Sequence, residues 1–161
     1  MASSLLQALI AHFDSVFEGP NGDYPAVLEA LKDLTAAQAA WKPAPDRNSI
    51  WQIVDHLTDS KVWQIEVLEK GEADIAAWTQ PAGNEKAWQA AITRLKDAHA
   101  RQKLTLGHLS EKDLFTVPDP KWKKTQLELL LSSAAHEACH AGQIDYLKGL
   151  QAGTAGKQVM A

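Results

Sequence analysis

Two histidines set four residues apart, His136 and His140, stand in the stretch TQLELLLSSAAHEACHAGQIDYLKGL at residues 125–150. Residues at that interval lie one turn apart on the same face of an α-helix, with stems roughly 6 Å apart. Two imidazoles so placed can hold one metal ion together. On a helical wheel they fall with Leu129, Ile144 and Leu147, so the face that carries them should turn towards a core. A neutral imidazole buried there needs a partner, because an unsatisfied ring nitrogen costs about 1–3 kcal/mol. A metal meets that need directly.

His56, beside the apolar stripe of another long helix, is the candidate third ligand. Together His56, His136 and His140 would make a facial three-histidine set with a coordination position left open, the arrangement of catalytic rather than structural sites. Neutral imidazole suits Zn, Ni, Cu and Fe, and a divalent ion, Zn or Ni first, is the expectation. His12, His99 and His108 have no such helical partner and are expected to be surface or hydrogen-bonded histidines.

The string His136-Glu137-Ala138-Cys139-His140 also matches H-E-x-x-H, in which the glutamate acts as general base beside a metal-bound water. The residues that follow contain no histidine or glutamate to act as a downstream ligand, which argues against a peptidase. Glu137 lies about 100° around the helix from His136, and a second-shell or surface role is expected for it. Cys139 is read as a buried, inert thiol. Ser60 and Trp63 follow His56 at i+4 and i+7, so Trp63 is expected to wall a pocket beside the metal, with Trp51 and Tyr146 as weaker candidates. Asp55 and Asp59 flank His56; either is a second-shell acceptor or a solvated carboxylate.

The elements that must position these groups are helical. Residues 4–18 place Leu5, Leu6, Leu9, Phe13, Val16 and Phe17 at helical spacing before the breakers Gly19-Pro20-Asn21-Gly22. A short segment follows at 25–33, then a turn capped by Thr35. Residues 41–48 are too rich in proline for helix. Ser49 and Gln52 form a capping box for a helix running to about Glu69, with Gly71 as its stop. A link at 72–83 leads to Asn84, which can cap a helix from 85 to about 107. After a capped turn at 109–114 and a proline-broken loop at 117–122, Thr125 and Glu128 form a second capping box. No alternating strand pattern and no internal repeat is visible. An all-α four-helix bundle with long crossover links is the expected architecture, as one domain over 1–150 with a mobile tail at 151–161.

Composition agrees with this. The chain has 161 residues, 45% of them apolar, enough for a core of its own without disulfides, and a single cysteine permits no internal bridge. Net charge is -4 with dispersed Lys and Arg, which gives no footprint for nucleic acid. The start lacks a basic n-region and no run reaches the ~18 apolar residues of a membrane span, so a soluble cytoplasmic protein is expected.

The runs NSIWQIVDHL at 48–57 and HEACHAGQIDYL at 136–147, with WKPAPDRNSIW before the second long helix, resemble the hallmark segments of DinB-like proteins, the DinB/YfiT group. The resemblance spans residues 4–150. It implies a four-helix bundle holding a divalent metal through three histidines, which map onto His56, His136 and His140. It implies a homodimer as well. Some members are thiol-dependent transferases that couple bacillithiol, mycothiol or glutathione to electrophiles. The resemblance therefore implies a metal-dependent S-transferase acting on a small-molecule substrate with a low-molecular-weight thiol as co-substrate. A metal-dependent hydrolase and a non-catalytic metal- or ligand-binding dimeric bundle are the alternatives, and no catalytic residue is assigned.

Overall fold

The computed structural model describes residues 4–158 except 21, 75, 79, 82 and 119, with side chains described to residue 153. Four long helices, α1 (Leu5–Phe17), α4 (Ile50–Lys70), α5 (Glu85–Gly107) and α6 (Gln126–Gln158), form the bundle. Short helices α2 (Val27–Ala30) and α3 (Ala36–Ala40) and a 3-10 turn at Asp113–Phe115 fill the crossovers. Among the described residues there is no strand, and no helix is long and apolar enough to cross a membrane.

The helix boundaries follow local chemistry. Ser49 Oγ accepts from the Gln52 amide at 3.2 Å while the Gln52 side chain accepts from the Ser49 amide at 3.1 Å, so α4 opens on a reciprocal cap. Gly71 ends it in the left-handed conformation, with φ +84°. Asn84 caps α5 through the Ala87 amide. Thr125 and Glu128 exchange the same reciprocal bonds at the start of α6. The segment expected at 25–33 is helical only over Val27–Ala30, because Asp33 takes a positive φ of 62° and turns the chain.

One expectation needs correcting. The last helix does not stop near Leu150 but continues to Gln158. The small polar residues there include Gly153 and Gly156, which lower helix propensity by about 1 kcal/mol each, yet no proline breaks the ladder. Residues 159–161 of the expected mobile tail lie outside the described residues.

Helix α4 packs most extensively on α5 and also lies against α6, while α1 touches both α5 and α6. The interior divides into three levels. One apolar cluster gathers Ile50, Trp51, Val54, Leu57, Trp88, Leu95, Ala141 and Ile144. The other gathers Leu9, Phe13, Leu106, Leu114, Leu130 and Ala134. Between them in sequence along each helix sit buried polar groups: Lys61 and Gln64 on α4, His99 and Gln102 on α5, Glu137 on α6. Lys61 Nζ donates to Glu137 Oε1 at 2.6 Å, to Gln102 Oε1 at 3.0 Å and to His99 Nδ1 at 3.2 Å. His99 Nε2 then donates to Asp14 on α1 at 3.0 Å, and Gln102 donates to Gln64. The Lys61 ammonium thus spends all three of its protons inside the protein.

Candidate metal centre

The two capping boxes fix where α4 and α6 begin, and helical phase does the rest. His56 lies in the second turn of α4, and His136 and His140 occupy consecutive turns of α6. Because α4 and α6 pack together, the three rings meet. Nε2 of His136 lies 3.0 Å from Nε2 of His56 and 2.9 Å from Nε2 of His140. One nitrogen of each ring falls within 4.8 Å of the other two. The rings of His136 and His140 stand at 90° and those of His56 and His136 at 76°, so they converge edge-on rather than stack.

The protonation chemistry of this arrangement suits a cation. His140 Nδ1 sits 2.8 Å from Gln143 Oε1, and donation of that ring N–H to the amide oxygen leaves the Nε2 lone pair facing the trio. A single proton on His136 Nε2 cannot make two good hydrogen bonds to its two neighbours at once, whereas one cation at the shared point satisfies all three nitrogens. Burial, with the His140 charge beside it, pushes His56 down to about 4. Burial and the two neighbouring rings, with Lys61 beyond them, push His136 down to about 4. Burial lowers His140 also, against the opposing pull of its Gln143 bond. All three are therefore neutral at neutral pH, the form that ligates.

The surroundings come partly from outside the two helices. Trp78, on the link between α4 and α5, stacks on His56 with centroids 4.1 Å apart and planes at 14°. A cavity of about 230 Å³ opens beside His56, lined by Asp59, Ser60, Trp63, Ala76 and Trp122. Trp63 and Trp122 meet edge to face, 5.5 Å apart at 78°. A second groove uses the same two tryptophans with Ser60, Lys124 and Ser133 and reaches His136.

Not every residue singled out in the sequence comes to this place. Ser60 and Trp63 line the cavity, but Tyr146 is 68% exposed and lines a separate groove with Pro43 and Arg47. Trp51 is core, packed on Trp88. Asp59 lines the cavity without a hydrogen bond to any of the three rings among the described residues, and Asp55 pairs with Arg94 at 3.2 Å. Glu137 bonds to Lys61 rather than to an imidazole. The expectation that Cys139 is buried is overturned, for its thiol is exposed. It sits about 100° around from His140, and that rotation turns it outward despite the usual habit of free cysteine.

Four participants escaped the sequence reading as functional residues. Gln143 stands three residues after His140, the spacing of facing helical neighbours, and could have been found by it. Lys61 stands four residues after Leu57 and three before Gln64, on the buried side of α4, and that spacing could have found it. Trp78 and Trp122 lie in irregular segments, where no periodicity shows which way a side chain turns.

A family model described as the DinB superfamily matches residues 23–144. A crystal structure of a conserved protein from Enterococcus faecalis superposes with a TM-score of 0.70 at 23% identity, covering 94% of this chain and 99% of that one, a likeness of fold. No protein with a curated description matches the chain.

Proposed function

The chain belongs to the DinB superfamily, and from that premise we propose that it is a metal-dependent enzyme, a thiol S-transferase in which His56, His136 and His140 hold one divalent ion. The observation that carries this reading is the convergence of three neutral, half-buried imidazole nitrogens, from two helices, beside an open cavity. Two nitrogens each about 2.1 Å from one ion and at right angles would be about 3.0 Å apart, close to the spacing of the neighbouring pairs here. Zn or Ni is the proposed ion. Once bound, such an ion lowers the pKa of a thiol or a water placed beside it.

The chain's own residues divide the remaining work. Gln143 holds the His140 ring in the ligating tautomer. Trp78 covers one face of His56. Trp63, Trp122 and Ala76 supply an apolar wall that keeps water off a small electrophile held next to His56. The co-substrate on this reading is a low-molecular-weight thiol. The protein acts as a homodimer, to be tested by light scattering.

Elemental analysis of untagged protein beside a His56→Ala variant tests the ligands. About one metal per chain in the wild type and its loss in the variant are the expected results; full occupancy in the variant removes His56 from the set. Turnover is tested by following chlorodinitrobenzene or monobromobimane consumption with several small thiols. Stoichiometric metal with no metal-dependent rate would leave a binding protein instead of an enzyme.

A further inference from the structure

The cavity beside His56 has a wall chemistry of its own. His56, Asp59, Ser60 and Trp63 stand at i, i+3, i+4 and i+7 on α4, so one stripe of that helix forms a side of it. Asp59 is half-buried and makes no hydrogen bond or ion pair with any described residue. Its neighbour one turn back, Asp55, is paired with Arg94 at 3.2 Å. Burial first, then the charge of Asp55, push the Asp59 carboxyl above its ordinary range, with Arg94 opposing. Arg94 makes its direct contact to Asp55, so Asp59 is left without a hydrogen-bonded counter-ion.

The other walls are aromatic. Trp63 and Trp122 present two planes at 78° with centroids 5.5 Å apart. Both indole nitrogens are buried from solvent and have no acceptor among the described residues. What the indoles show to the cavity is therefore ring carbon and not an N–H donor that would repel a cation. Two aromatic walls at right angles and an unpaired carboxylate are the elements by which proteins hold organic cations. Lys124 lines the neighbouring groove and not this cavity.

We propose that the cavity formed by Asp59, Trp63 and Trp122 binds the ammonium group of an amine-bearing substrate or co-substrate and so sets that molecule's reacting end beside the histidine trio. Its meaning for catalysis rests on the reading of the trio as the reaction centre; the binding itself does not require the ion. The volume, about 230 Å³, exceeds the ~150 Å³ that houses benzene in an engineered apolar cavity. A trimethylammonium group or a protonated primary amine on a short stem fits.

The test is calorimetric titration of the metal-loaded protein with choline and with dimethylbutanol, its neutral isostere. Choline should bind at least about tenfold more tightly, and the difference should shrink as ionic strength rises. Asp59→Asn, checked for unchanged melting temperature and metal content, should bring the two probes together. Trp122→Leu should weaken choline more than the alcohol. Equal binding of the two probes by wild-type protein, binding of neither, or an Asp59→Asn protein that keeps the preference would each overturn the proposal. His136→Ala protein, which should lack the ion, should still prefer choline, so failure of the metal-enzyme reading and failure of this one give different results.

Discussion

Lys61 Nζ and Glu137 Oε1 lie 2.6 Å apart in the middle of the bundle, both side chains sealed from solvent. Lys61 follows His56 by five residues on α4, and Glu137 is the neighbour of His136 on α6. The ion pair therefore ties together the two helices that deliver the imidazoles, about a turn from where they meet. Burial drives the lysine down and the glutamate up, each opposed by its partner, so neither charge is at ease without the other. Such a pair adds little net stability over an apolar replacement, but it penalises every arrangement in which it is broken.

Removing one partner should accordingly be worse than removing both. Lys61→Met alone leaves the Glu137 carboxylate buried and unpaired and should cost about 3–5 kcal/mol in urea unfolding. The double variant Lys61→Met, Glu137→Leu should recover most of that loss. A double variant no more stable than the single one would show that the pair, and not the stranded charge, carries the energy.

Stability of the metal-free protein should fall on acidification below about pH 6.5. His56, His136 and His99 are each held down to about 4 in the fold, His99 chiefly by burial and by Lys61. The unfolded chain takes up protons on these rings near pH 6.5. Between about pH 6.5 and 4 the unfolded state binds more protons, so stability is fully present above that window and lost as pH falls through it. Melting temperatures at pH 7, 6 and 5 should decline in that order, and His99→Gln should flatten the decline.

Trp78 should report the ion. Its indole stacks 4.1 Å from the His56 ring, so a bound paramagnetic ion such as Cu or Ni would lie within a few ångströms of it. Titration should quench tryptophan fluorescence, and Trp78→Phe should remove a larger share of that quenching than Trp88→Phe, with metal content unchanged. Trp88 is the control because it is buried among Leu95, Leu34 and Trp51, its indole bonded to the Leu34 carbonyl at 2.9 Å.

Gly71 should resist substitution. It closes α4 at φ +84°, and an added Cβ would come within 3.2 Å of the Pro118 carbonyl oxygen. Gly71→Ala should destabilise the fold by about 1–2 kcal/mol, most of it from the left-handed backbone. Denaturant unfolding of the variant measures it.

The helices were legible because their signals are local. Ser49 with Gln52, Thr125 with Glu128, Asn84 and Gly71 each mark a boundary within four residues of chain. The four-residue interval of His136 and His140 places their rings wherever α6 goes, and an apolar stripe on α4 aims His56 inward. What stayed hidden depends on distant partners. Nothing near Lys61 announces that Glu137, His99 and Gln102 will gather around its ammonium. Nothing near Trp78 or Trp122 sets the path of the loops that swing them onto His56 and Trp63. The continuation of α6 past Leu150 was missed because glycine weakens a helix without forbidding it.

The buried polar level has a consequence for how the interior responds to change. Leu57, Leu95 and Ile144 belong to the apolar cluster on one side of it, Leu106, Leu114 and Leu130 to that on the other, and among the described residues the two clusters share no side chain. The protein thus has two separate oily compartments, and repacking one need not be felt by the other. Paired truncations such as Leu95→Ala with Leu114→Ala should sum almost as independent losses, so sequence drift could remodel the compartment below the trio while the one that frames it stands still.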